Sequence, residues 1–177
     1  MPQKLPEKLS ENLPEIPDEL RALMAEVGPV WMPPGHVKLM TDKFTDLHRT
    51  VPRADGLEIR RDMAYGAHER HKLDVYLPGD GKTRRAALLF VHGGAFLDGD
   101  RNRTGEIYSN VLRYFGRNGV VGINIGYRLA GDAKYPGATE DIAATVTWVR
   151  ERADVLGIDR DRIFLMGHSA GAAHAGS

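Results

Sequence analysis

The residues of this chain best able to do covalent chemistry are Gly167-His168-Ser169-Ala170-Gly171. They fit the pattern G-x-S-x-G where an apolar strand, predicted over Arg162 to Met166, meets an alanine-rich helix. Glycines on either side of the serine remove Cβ atoms that would strike the neighbouring strand and helix. The sharp, strained turn then pushes the hydroxyl out to where a substrate can reach it. The helix that follows places its positive dipole end and the N–H of Ala170 beside the reacting carbonyl, where a tetrahedral oxyanion would be stabilised. A glycine-bracketed serine can also simply cap a helix, so the motif by itself leaves both readings open.

A second segment bears on the choice. His92-Gly93-Gly94-Ala95-Phe96 follows directly on the continuous apolar run Ala86 to Val91. Gly93 and Gly94 can turn their N–H groups toward a developing negative oxygen without side-chain obstruction, and such donors are worth roughly 3–4 kcal/mol each in a transition state. A nucleophilic serine and a separate oxyanion hole together describe acyl transfer.

These loops need elements to hold them. Leu20, Leu23, Met24 and Val27 recur at helical spacing over Pro17 to Val27, and Gly28-Pro29 stops the pattern. A weaker helix is predicted over His36 to Leu47, after the Met32-Pro33-Pro34-Gly35 break. Leu57 to Met63 and Lys72 to Leu77 read as two outer strands. Ala86 to Val91 reads as a strand buried on both faces of a largely parallel sheet. Helices over Thr104 to Arg117 and Ala138 to Leu156 alternate with strands over Val120 to Ile125 and Arg162 to Met166. That alternation is α/β, with an N-terminal helical appendage over residues 1–52 that could cap the site, and the α/β part over 53–177.

The chain resembles the α/β-hydrolases, in the esterase and lipase branch similar to hormone-sensitive lipase and bacterial carboxylesterases. The resemblance rests on the His92 to Phe96 loop, the Gly126-Tyr127-Arg128-Leu129-Ala130 segment, the Tyr135-Pro136-Gly137-Ala138-Thr139-Glu140-Asp141 helix entry and Gly167 to Gly171, and it runs from about Lys72 onward. It implies a mostly parallel central sheet with helices on both faces, truncated after the nucleophile turn. It also implies a carboxylic ester hydrolase with Ser169 as nucleophile, Gly93, Gly94 and Ala170 as oxyanion donors, and His92 organising its loop. Two departures widen the substrate class. Ala95 replaces a third glycine, and His168 stands where relatives of hormone-sensitive lipase often carry an acid; both fit formamidases as well as esterases. A binding module that has lost catalysis is the reading from another class, though such a module has no need of Ser169.

In this fold the acid and the histidine follow the serine, so Asp98, Asp100, Asp132 and Asp141 are expected to be cap, turn or ion-pair residues. Both triad partners are therefore expected beyond Ser177. This chain is expected to be an N-terminal fragment, catalytically incomplete, with Ile163-Phe164-Leu165-Met166 left as a bare strand edge. His36, His48, His68, His71 and His174 show no metal-ligand spacing, so no metal and no cofactor are expected. Lys plus Arg equals Asp plus Glu at 24 each, which offers no field to draw in nucleic acid or a charged membrane; the expected partner is a small ester. Cysteine is absent, which excludes disulfides and a thiol nucleophile. Residues Met1 to Leu20 mix charges with prolines and contain no apolar h-region, which makes a cytoplasmic location the expectation.

Overall fold

The computed structural model describes residues 15–28, 35–50 and 56–177. Contacts divide the chain into two units, Met1–Arg53 and Ala54–Ser177. In the first, the periodic apolar residues form helices α1 (Asp18–Val27) and α2 (His36–Arg49), close to the predicted spans. Asp18 and Glu19 begin α1 and Arg49 ends α2, each complementing the helix dipole. Residues 1–14, the Met32-Pro33-Pro34 break and the expected boundary at residues 52 and 53 lie outside the described residues.

The second unit holds strands β1 (Leu57–Ala64), β2 (Lys72–Pro78), β3 (Arg85–Val91), β4 (Val121–Ile125) and β5 (Ile158–Gly167), and helices α3 (Ser109–Arg117), α4 (Gly137–Glu151) and α5 (Ala170–Ala175). The strands form one sheet in the order β1-β2-β4-β3-β5. β3 runs parallel to β4 and to β5, whereas β1 and β4 both run antiparallel to β2. The sheet is therefore mixed rather than mostly parallel. The turn over residues 65–71 is long enough for a hairpin and too short for a crossover helix, so β1 and β2 must be antiparallel; α3 and α4 supply the crossovers between β3, β4 and β5. β2 is also not an outer strand: it lies between β1 and β4, and its central residues are buried.

Side chains alternate along the strands and sort into two layers. Leu73, Val75, Ala87, Leu89, Val91, Val121, Ile123 and Ile125 face Ile142, Trp148 and Val149 of α4. On the other face Tyr76 and Phe90 pack with Tyr108 and with Leu112 of α3. A Cβ on Gly122 would lie 2.9 Å from Leu112 Cβ, so glycine there lets α3 settle on β4. The predicted helix start at Thr104 moves to Ser109, because Gly105 and Tyr108 take left-handed φ values of 79° and 75°. α4 ends at Glu151 rather than Leu156, and the chain reaches the buried Leu156 through turns.

Asp74 and Asn124 are cross-strand partners on the α3 face, and both are fully buried. Burying a carboxylate requires partners. Asp74 accepts hydrogen bonds from Asp62 N–H at 2.9 Å, Arg61 Nη1 at 3.1 Å, Arg101 Nε at 3.4 Å and Asn102 Nδ2 at 2.6 Å. Arg101 also pairs with Asp62, and Asn124 Nδ2 donates to the Arg101 carbonyl at 2.6 Å. The sheet thus grips the loop that leaves β3. At the opposite edge, Phe164, Leu165 and Met166 of β5 are 55, 42 and 42% exposed, and β5 pairs with β3 alone among the described residues.

Removing one partner of a buried ion pair leaves the other uncompensated. Asp74→Ala is therefore expected to destabilise the fold by about 3–5 kcal/mol, read from urea unfolding. A loss below about 1 kcal/mol would mean that Arg101 finds water instead.

Candidate active site

β5 ends at Gly167 and α5 begins at Ala170, so His168 and Ser169 make the whole turn between them. Ser169 sits at φ 53° and ψ −122°, outside the regions favoured by residues with a side chain. Such strain costs on the order of 1–3 kcal/mol and persists only where the surroundings over-determine it. Here they do. A Cβ on Gly171 would lie 2.3 Å from the Val91 carbonyl oxygen and 2.4 Å from that of His92. His168 N–H donates to Val91 O at 3.0 Å, which ties the turn to the end of β3. Ser169 itself is exposed.

The loop after β3 reaches the same place. A Cβ on Gly93 would meet His168 Nδ1 at 2.7 Å and Ser169 Cβ at 3.1 Å, so the Gly93 backbone packs directly beside the serine. The Gly94 carbonyl accepts from Leu97 N–H and Asp98 N–H at 3.1 and 2.9 Å, and Gly94, Ala95 and Phe96 all have positive φ. The turn is braced from outside as well. Ala130 N–H donates to Phe96 O at 2.9 Å, and Arg70 donates to Tyr127 O and to Gly99 O, each at 2.8 Å. Ala170 is the first residue of α5, so its N–H has no acceptor within the helix.

His92 is fully buried, its ring stacked on Tyr127 with centroids 4.3 Å apart. Tyr127 OH donates to the His92 carbonyl at 2.7 Å. His92 Nδ1 lies 2.9 Å from the Gly93 carbonyl, which can only accept, so Nδ1 carries the proton. Burial pushes the His92 pKa down to about 4 and outweighs the Gly93 carbonyl, which favours the charged ring. The imidazole is an uncharged strut inside the loop.

Of the four aspartates, Asp98 and Asp132 are exposed in turns, and Asp100 accepts from Asn102 N–H at 2.7 Å. Asp141 is nearly buried and takes hydrogen bonds from the Arg128 guanidinium at 2.6 and 3.0 Å and from Arg128 N–H at 2.9 Å. Burial raises the Asp141 carboxyl, but the bonds from Arg128 outweigh it and hold the group below its usual range. His71 Nε2 lies 3.1 Å from Asp141 Oδ1 without hydrogen-bond geometry, and its ring stacks on Tyr65. His174 packs edge-on against Phe96 and Tyr127. Among the described residues no group of three or more His, Asp or Glu could hold a metal, and no helix is long and apolar enough to cross a membrane.

Sequence reasoning missed the residues that brace the loops. Asp74 and Arg70 lie some twenty residues before the first motif, and neither they nor Arg101, five residues past it, are marked by any periodicity. Tyr108, whose hydroxyl is 3.3 Å from His168 Nδ1, reads in the sequence as one more apolar position of a helix.

His92 should also make stability depend on pH. Unfolded, it takes a proton near its ordinary value of 6.5; folded, it resists until about 4. Between those values the unfolded chain binds more protons, so stability falls as pH drops through that window and is retained above it. The contribution is roughly 3 kcal/mol. His174, also lowered by burial, acts in the same direction. Denaturant unfolding from pH 7 to pH 4 is expected to show a shallower decline for His92→Asn than for the parent chain.

Comparison with known proteins agrees with this geometry. The chain matches the BD-FAE family over residues 73–176, well over half its length. It is 32% identical over 127 residues to ethyl acetate hydrolase from Pseudomonas putida, a match covering 70% of this chain and 39% of the relative. It is 36% identical over 113 residues to esterase LipC from Mycobacterium tuberculosis, covering 63% of this chain and 27% of that protein. Among solved structures, esterase B from Lactobacillus rhamnosis with a tributyrin phosphonate inhibitor superposes with a TM-score of 0.66 at 27% identity, covering 88% of this chain and 48% of that one. The chain spans less than half the length of each of these proteins. Its strained serine turn, packed against a glycine loop on a mixed five-stranded sheet, is the arrangement of an α/β-hydrolase, and the chain belongs to the BD-FAE family.

Proposed function

We propose that this chain carries the nucleophile and oxyanion hole of a carboxylic ester hydrolase. The observation that bears most weight is the contact of the Gly93 backbone with Ser169 at the strained turn. In this reading Ser169 Oγ attacks the ester carbonyl carbon, and the carbonyl oxygen becomes an oxyanion held by the N–H groups of Gly93, Gly94 and Ala170. The C–O bond to the alcohol then breaks, and the alcohol leaves with the proton given up by the serine. Water attacks the acyl-serine through a second tetrahedral state and releases the acid. His92 keeps the donor loop in shape and takes no proton from Ser169, since it is buried and its Nδ1 proton serves the Gly93 carbonyl.

Small esters are the favoured substrates, supported by the relative described as an ethyl acetate hydrolase and by the phosphonate of a short triglyceride bound to esterase B. Residues 1–52 are read as an appendage distinct from the hydrolase part over 53–177, in keeping with the division of contacts near Arg53.

In the product of the complete gene, Ser169→Ala is expected to abolish hydrolysis of p-nitrophenyl acetate and butyrate and labelling by a phosphonate ester, while a formyl amide turns over more slowly than either ester. Retained ester turnover in Ser169→Ala would place the chemistry elsewhere. Residues 1–177 expressed alone hold no base assigned to Ser169, so their esterase rate is expected to stay within the residual ~10³–10⁴-fold acceleration that an oxyanion hole and binding alone provide. A rate well above that range would show that a base lies within this chain.

A further inference from the structure

Four residues with side chains take left-handed backbone conformations around the turn: Ala95, Phe96, Tyr108 and Ser169. Three of them belong to the two loops that form the site. Tyr108 stands at the far end of the β3–α3 connection, as the residue that caps α3, and packs on the α3 face of the sheet. A bulky residue at φ 75° and ψ −41° is an outlier, and outliers of this kind survive where the surrounding structure imposes them.

The imposition can be traced. The Tyr108 ring is 7% exposed and packs with Tyr76, Phe90 and Leu112, its centroid 5.4 Å from that of Phe90. Ser109 Oγ donates to the carbonyls of Gly105 and Glu106, both at 2.9 Å, and locks the preceding turn. What this fixed ring delivers is its hydroxyl, 3.3 Å from His168 Nδ1. His168 Nδ1 in turn lies 2.7 Å from the point where a Cβ on Gly93 would sit, and Ser169 Cβ lies 3.1 Å from that same point. Tyr108, His168, Gly93 and Ser169 are therefore successive neighbours, with His168 Nδ1 meeting both the Tyr108 hydroxyl and the side of the Gly93 backbone where a Cβ would stand. The Tyr108 hydroxyl and His168 Nδ1 are within hydrogen-bond distance of one another.

We infer that Tyr108 is a positioning residue for the oxyanion hole: through His168 it holds the Gly93 peptide in place beside Ser169. The inference rests on the reading of Ser169 as nucleophile and Gly93 as donor. A donor displaced by a fraction of an ångström binds the tetrahedral oxyanion less well and the planar ester almost equally, so the loss should appear in kcat and leave KM alone. Removing a donor outright lowers kcat by ~10²–10³-fold; loosening one should cost about tenfold.

The test uses the product of the complete gene and short p-nitrophenyl esters. Tyr108→Phe keeps the packed ring and removes only the hydroxyl. It is expected to lower kcat about tenfold with KM within about twofold, and to weaken a boronic acid inhibitor, which binds as a tetrahedral anion, by the same factor. His168→Leu should show the same loss. His168→Asn, whose amide oxygen can stand where Nδ1 stands, should recover much of it. The double variant Tyr108→Phe/His168→Leu should be no worse than either single one, because both break the same link. An unchanged kcat in a normally folded Tyr108→Phe, or losses that multiply in the double variant, would overturn the inference while leaving the hydrolase reading intact. Activity surviving in Ser169→Ala would remove both.

Discussion

The carbonyl oxygens of Val91 and His92 lie 2.3 and 2.4 Å from the point where a side chain on Gly171 would begin. No Cβ survives at that distance, so the end of β3 and the start of α5 can approach only through glycine. From that contact the rest of the site follows. It brings the His168 N–H within reach of Val91 O, sets Ser169 into its strained conformation and lays Gly93 against it. Acyl transfer needs a nucleophile and its oxyanion donors held within hydrogen-bond range of one carbon, and this contact fixes both loops to a common origin.

Strain at Ser169, Ala95 and Phe96 has to be offset elsewhere, and the sheet does so with two kinds of interaction. Apolar packing on both faces of β3 makes its C-terminal end immobile, since every residue of the strand is buried. Polar groups then restrain the loop that leaves it. Asp74 and Asn124 reach across from β2 and β4 to Arg101 and Asn102, while Arg70 holds the carbonyls of Gly99 and Tyr127. Buried polar groups of this kind add little net stability when fully paired, but they admit only one arrangement. The loop gains definition from them more than energy.

The histidines illustrate how environment separates residues of one type. His92 is sealed between Tyr127 and the Gly93 carbonyl and stays uncharged far below neutral pH. His168 stands at the surface with its Nδ1 against a tyrosine hydroxyl, and His71 lies over Tyr65 beside an aspartate already claimed by Arg128. None is interchangeable with another, although all are imidazoles within one small unit.

Much of this was legible in the sequence because it is written locally. The apolar run Ala86 to Val91, the glycines at 93 and 94 and the pattern Gly167 to Gly171 each depend on neighbours one or two positions away, and elements read from them lie within a few residues of those observed. The antiparallel pairing of β2 with β4, the extension of β5 back to Ile158 and the early end of α4 were not legible, because they are settled by which element lies next to which. The same holds for Asp74, Tyr108 and Arg70. Their partners are distant in the chain, and no local spacing encodes a hydrogen bond that spans 28 or 60 positions. By itself the sequence determined the nucleophile candidate and the steric need for glycine around it. Only the tertiary structure decided what holds those groups still, since that depends on the distances that packing leaves between residues remote in sequence.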